Sequence, residues 1–359
     1  MTIEITQIPA GTPRRTLPEG KLGFGTLFTE YMLKAVWGGS NGAGWHSPTI
    51  EPRGPIAMDP AASVLHYGQT IFEGMKAFRG SDDRIRLFRP EKNAARMAAS
   101  SERVCLPEVP EELFVQGIKE LVLLEKDWVP RTPGSSLYIR PTLIATEGFL
   151  GVRPAQEVLF FVIMCPVDAY YATGFAPVKI WVETQYVRAA KGGLGATKAG
   201  ANYVASLYAS EAAKKKGYAQ VLWTDASDHE MIEEVGTMNL FVHIGDEVIT
   251  PSLDGSILPG ITRDSVIQLL RSRGITVSER PIGLTELRAA HSAGTLKEVF
   301  GTGTAAVISP VSTLGGESFG DLMVGDGTTG PIARSLFDEI TEIQRGERPD
   351  PFGWVHVLD

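Results

Sequence analysis

Two rhythms of apolar residues run through the first half of the chain. In Pro110–Lys126, Leu113, Ile118, Leu121, Val122 and Leu124 mark one apolar side and predict an amphipathic helix. Glu91–Val104 reads as a second helix, with Pro90 at an early position and an acid near its start. Gly74–Arg79 and Ile85–Phe88 predict a hairpin turning at Ser81-Asp82-Asp83, and Ser136–Ile144 predicts a strand. Val158–Cys165 is apolar nearly throughout, as a strand covered on both faces is. Upstream the pattern weakens: residues 1–25 form an extended arm, and Thr26–Val36 and Pro55–Val64 are strand-like.

The stretch 166–177 has neither rhythm and is bounded by Pro166 and Pro177, which suits a linker between domains. Beyond it, Val178–Thr184 and Gln220–Thr224 predict strands, and Met238–Ile244 with Glu247–Thr250 a hairpin across Gly245-Asp246. Asn202–Lys216 predicts a helix closed by three lysines and Gly217, which places cations at its carbonyl end. A further helix runs to Arg273 with Thr262 as its N-cap, and Glu298–Phe300 predicts a strand leading into a small-residue loop.

A length of 359 residues favours two domains. The net charge of −8 disfavours nucleic acid or an anionic membrane as main partner. The longest apolar run, Val158–Val167, is about half of what a membrane span needs. Only Cys105 and Cys165 are present, in no metal-ligand spacing, and Met1–Arg15 lacks a signal-peptide core, so a cytoplasmic protein without a metal is expected.

Candidate chemistry centres on Lys191-Gly192-Gly193-Leu194-Gly195-Ala196-Thr197-Lys198-Ala199-Gly200-Ala201-Asn202-Tyr203. A lysine walled by residues without bulk can lie against something flat and, desolvated, act as an amine nucleophile. A solvated lysine on a glycine-rich turn would look the same. Glu234, just before a buried strand, needs a cationic or donor partner such as a protonated pyridine nitrogen, whereas Glu233 suits a surface turn. Leu258-Pro259-Gly260-Ile261-Thr262 opens a helix whose first-turn N–H groups can hold an anion. Gly301-Thr302-Gly303-Thr304-Ala305 suits a phosphate or carboxylate, and Arg96 could reach a phosphate from its helix.

Together these stretches, with Tyr67–Phe78, Leu87–Met97 and Ser136–Arg140, resemble the branched-chain amino acid aminotransferases from about Gly23 to the C-terminus. These belong to the fold type IV, class IV pyridoxal 5'-phosphate enzymes, which also include D-amino acid aminotransferase. The resemblance implies an α+β fold of two domains: a smaller N-terminal α/β domain (1–165), a linker (166–177) and a larger C-terminal domain (178–359), with the cofactor at their interface. It makes Lys198 the Schiff-base lysine and proton shuttle, Tyr203 the partner of the cofactor's phenolic oxygen and Glu234 that of its ring nitrogen. Arg96, Ile261, Thr262 and Thr304 match the phosphate cradle, and Thr304 and Ala305 the donors to the substrate carboxylate. Phe72, Tyr138 and Thr237 match the side-chain pocket, with Arg140 beside it. Tyr67, Leu150 and Val152 match residues lent by a second subunit, implying a homodimer. Mammalian members carry a Cys-x-x-Cys pair where this chain has Ala306 and Ser309, so thiol control of that kind is not available.

The implied reaction is reversible amino transfer between leucine, isoleucine or valine and 2-oxoglutarate, through pyridoxamine phosphate, giving the branched 2-oxo acids and glutamate. A D-amino acid aminotransferase, and a non-catalytic binder of phosphate ligands, are the alternatives. Tyr138-x-Arg140 and Glu234–Asn239 favour the branched-chain reading over the first. A yellow protein bleached by borohydride would exclude the second.

Overall fold

A computed structural model describes residues 2–42, 44–168, 175–317 and 319–358. The chain divides into two compact units, one of residues 1–170, 197–200 and 342–359, the other of residues 171–196 and 201–341. Most of the expected linker, residues 169–174, lies outside the described residues.

The first unit is built on a sheet of nine strands among the described residues, in the order 4–5, 45–52, 31–38, 157–167, 136–145, 75–79, 85–88 and 355–358, with 70–72 also pairing to 136–145. The long central pair Ser136–Ala145 and Glu157–Val167 is antiparallel. Its apolar run stays buried because the helices Pro90–Arg103 and Glu111–Leu124 belong to the same unit and bring Met97, Leu113, Phe114, Ile118 and Leu121 into the core. The final strand, Val355–Leu358, returns to pair with Ile85–Phe88.

Several elements depart from the sequence reading. Pro55–Val64 is not a strand; the strand is Trp45–Pro52, antiparallel to Tyr31–Gly38, and Pro55 and Pro60 occupy the irregular segment after it. A short helix, Ser63–Tyr67, follows and stops at Gly68 in the left-handed region (φ 60°). The strand expected from Thr26 begins only at Tyr31.

In the second unit the strands run 232–235, 220–224, 178–182, 307–315, 296–303, 238–244, 247–250 and 276–279. An additional pairing of Ile232–Val235 with Met238–Ile244 joins the first strand of this path to the sixth and closes the sheet on itself. Ile180, Val182, Leu222, Val235, Leu240, Val242, Val299 and Leu314 fill its core. Gly301–Gly303 is strand, not loop: Leu296–Gly303 continues through it, and a Cβ on Gly301 would meet Val235 Cγ1 at 2.8 Å and Met238 Cε at 2.9 Å. Small residues there make room for the core. The turn itself is Thr304–Ala306. The helix Ile261–Ser272 is capped by Gly260 without any side-chain hydrogen bond, so Thr262 lies inside its first turn and is not the N-cap.

Candidate active site

Lys198 belongs to the first unit. Its carbonyl accepts from the Phe72 N–H at 3.1 Å, and its own N–H donates to Ser100 Oγ at 3.1 Å. With an isolated bridge between Ile71 and Ala199, these bonds pin the lysine backbone onto the strand Thr70–Phe72 and the helix Pro90–Arg103. The side chain is half-buried, with Nζ 4.9 Å from the centroid of the Phe72 ring. The glycines before it have structural duties. A Cβ on Gly195 would stand 2.0 Å from the Ser256 carbonyl oxygen, so this position backs directly onto another chain segment.

One turn from Ser100 along the same helix, Arg96 meets a carboxylate the sequence reading had passed over. Its Nε and Nη2 donate to the two oxygens of Glu73 at 2.7 and 2.8 Å, and Asn93 adds a bond of 2.7 Å. Glu73 has no solvent exposure. Burial pushes its carboxyl up, but Arg96, Lys198 and Asn93 outweigh this and hold it below the usual carboxylate range. Glu73 thereby fixes the plane of the Arg96 fork, which still presents donors suited to a phosphate. Pairs 23 residues apart leave no local pattern; only the register of the strands brings Glu73 under the helix.

Phe72, Tyr138 and Arg140 lie together in the same unit. Arg140 Nη2 donates to Tyr138 Oη at 3.0 Å, and its guanidinium carbon sits 4.5 Å from the Phe72 ring centroid and 5.3 Å from that of Tyr138. Its Nε is buried without a hydrogen-bond partner among the described residues. Tyr67 and Leu150 are also joined, Tyr67 Oη donating to the Leu150 carbonyl. They are exposed, as are Leu65, Phe149 and Val152, the last at 86%.

The second unit holds the anionic partner. Glu234 is 4% exposed on the strand Ile232–Val235. Oε1 accepts from the Leu258 N–H at 2.9 Å and Asn239 Nδ2 at 3.3 Å, and Oε2 pairs with Arg188 Nε at 3.1 Å. Asn239 also donates to the Leu258 carbonyl at 2.8 Å, tying this carboxylate to the Leu258–Thr262 turn. Gly260 is obligatory here, because a Cβ on it would fall 1.9 Å from Asn239 Oδ1. Arg188 is a second residue the sequence did not reveal, since nothing around it signals a partner so far along the chain. Glu233, expected on a surface turn, is instead a strand residue and also 4% exposed. Polarity alone suggested solvent; the closure of the sheet covers it.

Ile261 and Thr262 form the first helical turn after Gly260, where N–H groups have no carbonyl of their own helix to meet. Thr304 and Ala305 are half-buried on the turn between the strands 296–303 and 307–315. Thr237 is exposed on the turn joining Val235 to Met238, and Tyr203 is half-buried on the helix Gly200–Lys215, just over one turn beyond Lys198.

A carbonyl-reactive amine, an arginine fork beside a helix, a first-turn anion site and a buried carboxylate are the equipment of a phosphate-bearing pyridine cofactor. Comparison with known proteins agrees. Residues 70–314 match the amino-transferase class IV family, and the chain belongs to it. Within that class the similarity is to branched-chain enzymes. Branched-chain-amino-acid aminotransferase 2 of Bacillus subtilis is 48% identical over 99% of this chain and 97% of its own length. The branched-chain-amino-acid aminotransferase of Mycolicibacterium smegmatis is 46% identical over 94% and 92%. Among solved structures, the Escherichia coli branched-chain enzyme superposes with a TM-score of 0.74 at 26% identity, covering 92% of this chain and 99% of its own. A branched-chain enzyme of T.th., determined with pyridoxamine 5'-phosphate, gives 0.73 at 28% identity over 90% and 98%. The α+β fold is thus that of fold type IV. The family depends on pyridoxal phosphate, and the donor set fits it: an amine for its carbonyl carbon, N–H and guanidinium donors for its phosphate, and an anion for its ring nitrogen.

Proposed function

We propose that this chain transfers amino groups reversibly between leucine, isoleucine or valine and 2-oxoglutarate. Pyridoxal phosphate, when bound, supplies a carbonyl that takes up the amino group and a ring that withdraws electrons from the substrate Cα. Lys198 Nζ holds the cofactor covalently and, once released, moves the proton to and from Cα as general base and acid. Glu234, anionic under three donors, offers its charge to the ring nitrogen. Arg96, Thr304 and the N–H groups of Ile261 and Thr262 bind the phosphate, and Tyr203 binds the phenolic oxygen. The Thr304-Ala305 turn orients the substrate carboxylate.

The observation that carries the choice of substrates is the setting of Arg140. One pocket must take an apolar side chain and then glutamate, whose distal carboxylate needs a partner. Packed on the faces of Phe72 and Tyr138, the guanidinium is a cation in aromatic surroundings, with its Nε unsatisfied among the described residues. An apolar side chain can lie along such a surface, and a carboxylate can pair with its edge. Arg140→Leu should slow the glutamate half-reaction far more than the leucine half-reaction, by the roughly 2–5 kcal/mol of a desolvated charge pair. Single-turnover rates separate the halves. Equal losses in both would refute this role, and turnover of D-amino acids in place of L would overturn the branched-chain reading itself.

The exposed apolar group of Leu65, Tyr67, Phe149, Leu150 and Val152 supports a homodimer in which these residues meet a second copy. No helix among the described residues is long and apolar enough to cross a membrane, and both cysteines are unbridged, which supports the cytoplasm as the location.

A further inference from the structure

Two carboxylates stand side by side on the strand Ile232–Val235, both 4% exposed, and Arg188 is the cation they share. Counting donors tells them apart. Glu234 accepts from Leu258, Asn239 and Arg188, as described above. Glu233 has a side-chain contact with Ser256, and its Oε2 is buried without any partner among the described residues. Ser256 has a single hydroxyl proton, and that proton is already directed to Asp254 Oδ1 at 2.9 Å. Asp254 is anchored as an anion by Lys191 at 2.8 Å, and its carboxyl lies below the ordinary range despite burial, because Lys191 and Ser256 donate to it. Ser256 Oγ can therefore only accept from Glu233, which requires a proton on Glu233. Meanwhile the Ser256 carbonyl accepts from Arg188 Nη2, linking this chain of groups to the cation beside Glu234.

The geometry points to Glu233 as a positioning residue: a neutral carboxylic acid whose O–H donates to Ser256, leaving Glu234 as the one anion facing Arg188 and the ring nitrogen. This rests on the functional reading above for the ring nitrogen, but the protonation of Glu233 stands apart from it. The charged groups around Glu233 are Arg188, Glu234 and Asp254, with Lys191 and Asp225 lining the same cavity. Burial pushes the Glu233 carboxyl up, and Asp254 and Glu234 add to this, against Ser256 and Arg188. Adjacent acids driven apart in this way let one carry charge while the other carries a proton.

The test is infrared spectroscopy on the holoenzyme at neutral pD. Wild type minus Glu233→Gln should show the carbonyl-stretch band of a protonated carboxylic acid. The absence of that band from the difference spectrum would overturn the proposal. A second arm separates positioning from bulk: Glu233→Ala should lower kcat about tenfold, the effect of one buried hydrogen bond left unmade, and Glu233→Gln, a neutral donor of similar shape, should restore most of it. Glu233→Gln as damaging as Glu234→Gln would also overturn it. A wild-type enzyme without transaminase activity would defeat the functional reading alone, and the infrared difference would still decide the state of Glu233.

Discussion

Removing the charge of Glu73 probes how the phosphate-binding arginine is held. Glu73→Gln keeps the shape and one acceptor but leaves Arg96, whose side chain is 9% exposed, as a buried cation without its counter-charge. Breaking a buried ion pair from one side costs about 3–5 kcal/mol. For a domain of this size, each kcal/mol moves the melting temperature by about 2–4 °C, so a fall of roughly 6–20 °C is expected. The effect has a pH signature. Glu73 is held below the usual carboxylate range when folded, so its stabilisation is fully present above the unfolded value of about 4.3. It is lost as pH falls through the folded value. The gap between wild type and variant should therefore be widest at neutral pH and shrink on acidification. Cofactor affinity, followed by fluorescence titration, should fall as well, because nothing then fixes the plane of the Arg96 fork. A melting shift below about 2 °C with unchanged affinity would refute the reasoning.

Other consequences are as direct. Gly260→Ala drives a methyl group into Asn239 Oδ1 and should loosen the turn that holds Glu234, raising the cofactor dissociation constant while the melting temperature of the apoenzyme moves little. Gly195→Ala meets backbone at Ser256, which cannot yield as a side chain can; it should destabilise by about 1–3 kcal/mol in denaturant titration. Since Glu233 has a raised folded value, wild type should lose stability as pH rises from the unfolded carboxyl range through that value, while Glu233→Gln should not. Diluting the enzyme should abolish activity where the dimer dissociates; full activity from a species shown to be monomeric would count against lent pocket residues.

Local features were legible in the sequence, and paired ones were not. Lys198 among small residues, the Leu258–Thr262 helix entry and the apolar strand 158–165 each announce themselves within a short stretch of chain. The helix Pro331–Arg345 would have been as plain from Ile332, Leu336, Ile340 and Ile343, had the periodicity been followed that far. Glu73 with Arg96, and Arg188 with Glu234, become partners only through strand register and chain closure, for which the local pattern holds no trace. Glu233 was placed on a surface turn because a charged residue suggests water; its burial follows from the pairing of Ile232–Val235 with strands on both sides. Gly301–Gly303 suggested a loop, and its small residues instead serve the packing of Met238.

The central claim is that Lys198 carries the cofactor, and one measurement reaches it directly. The yellow holoenzyme is reduced with borohydride, digested, and its peptides are mapped by mass spectrometry. The phosphopyridoxyl mass should lie on the peptide that contains Lys198, and Lys198→Ala should bind the cofactor without becoming labelled. Lys76 is the instructive control, since burial lowers its ammonium to about 8. Label on Lys76, on Lys191, or on any lysine other than Lys198 would contradict the account.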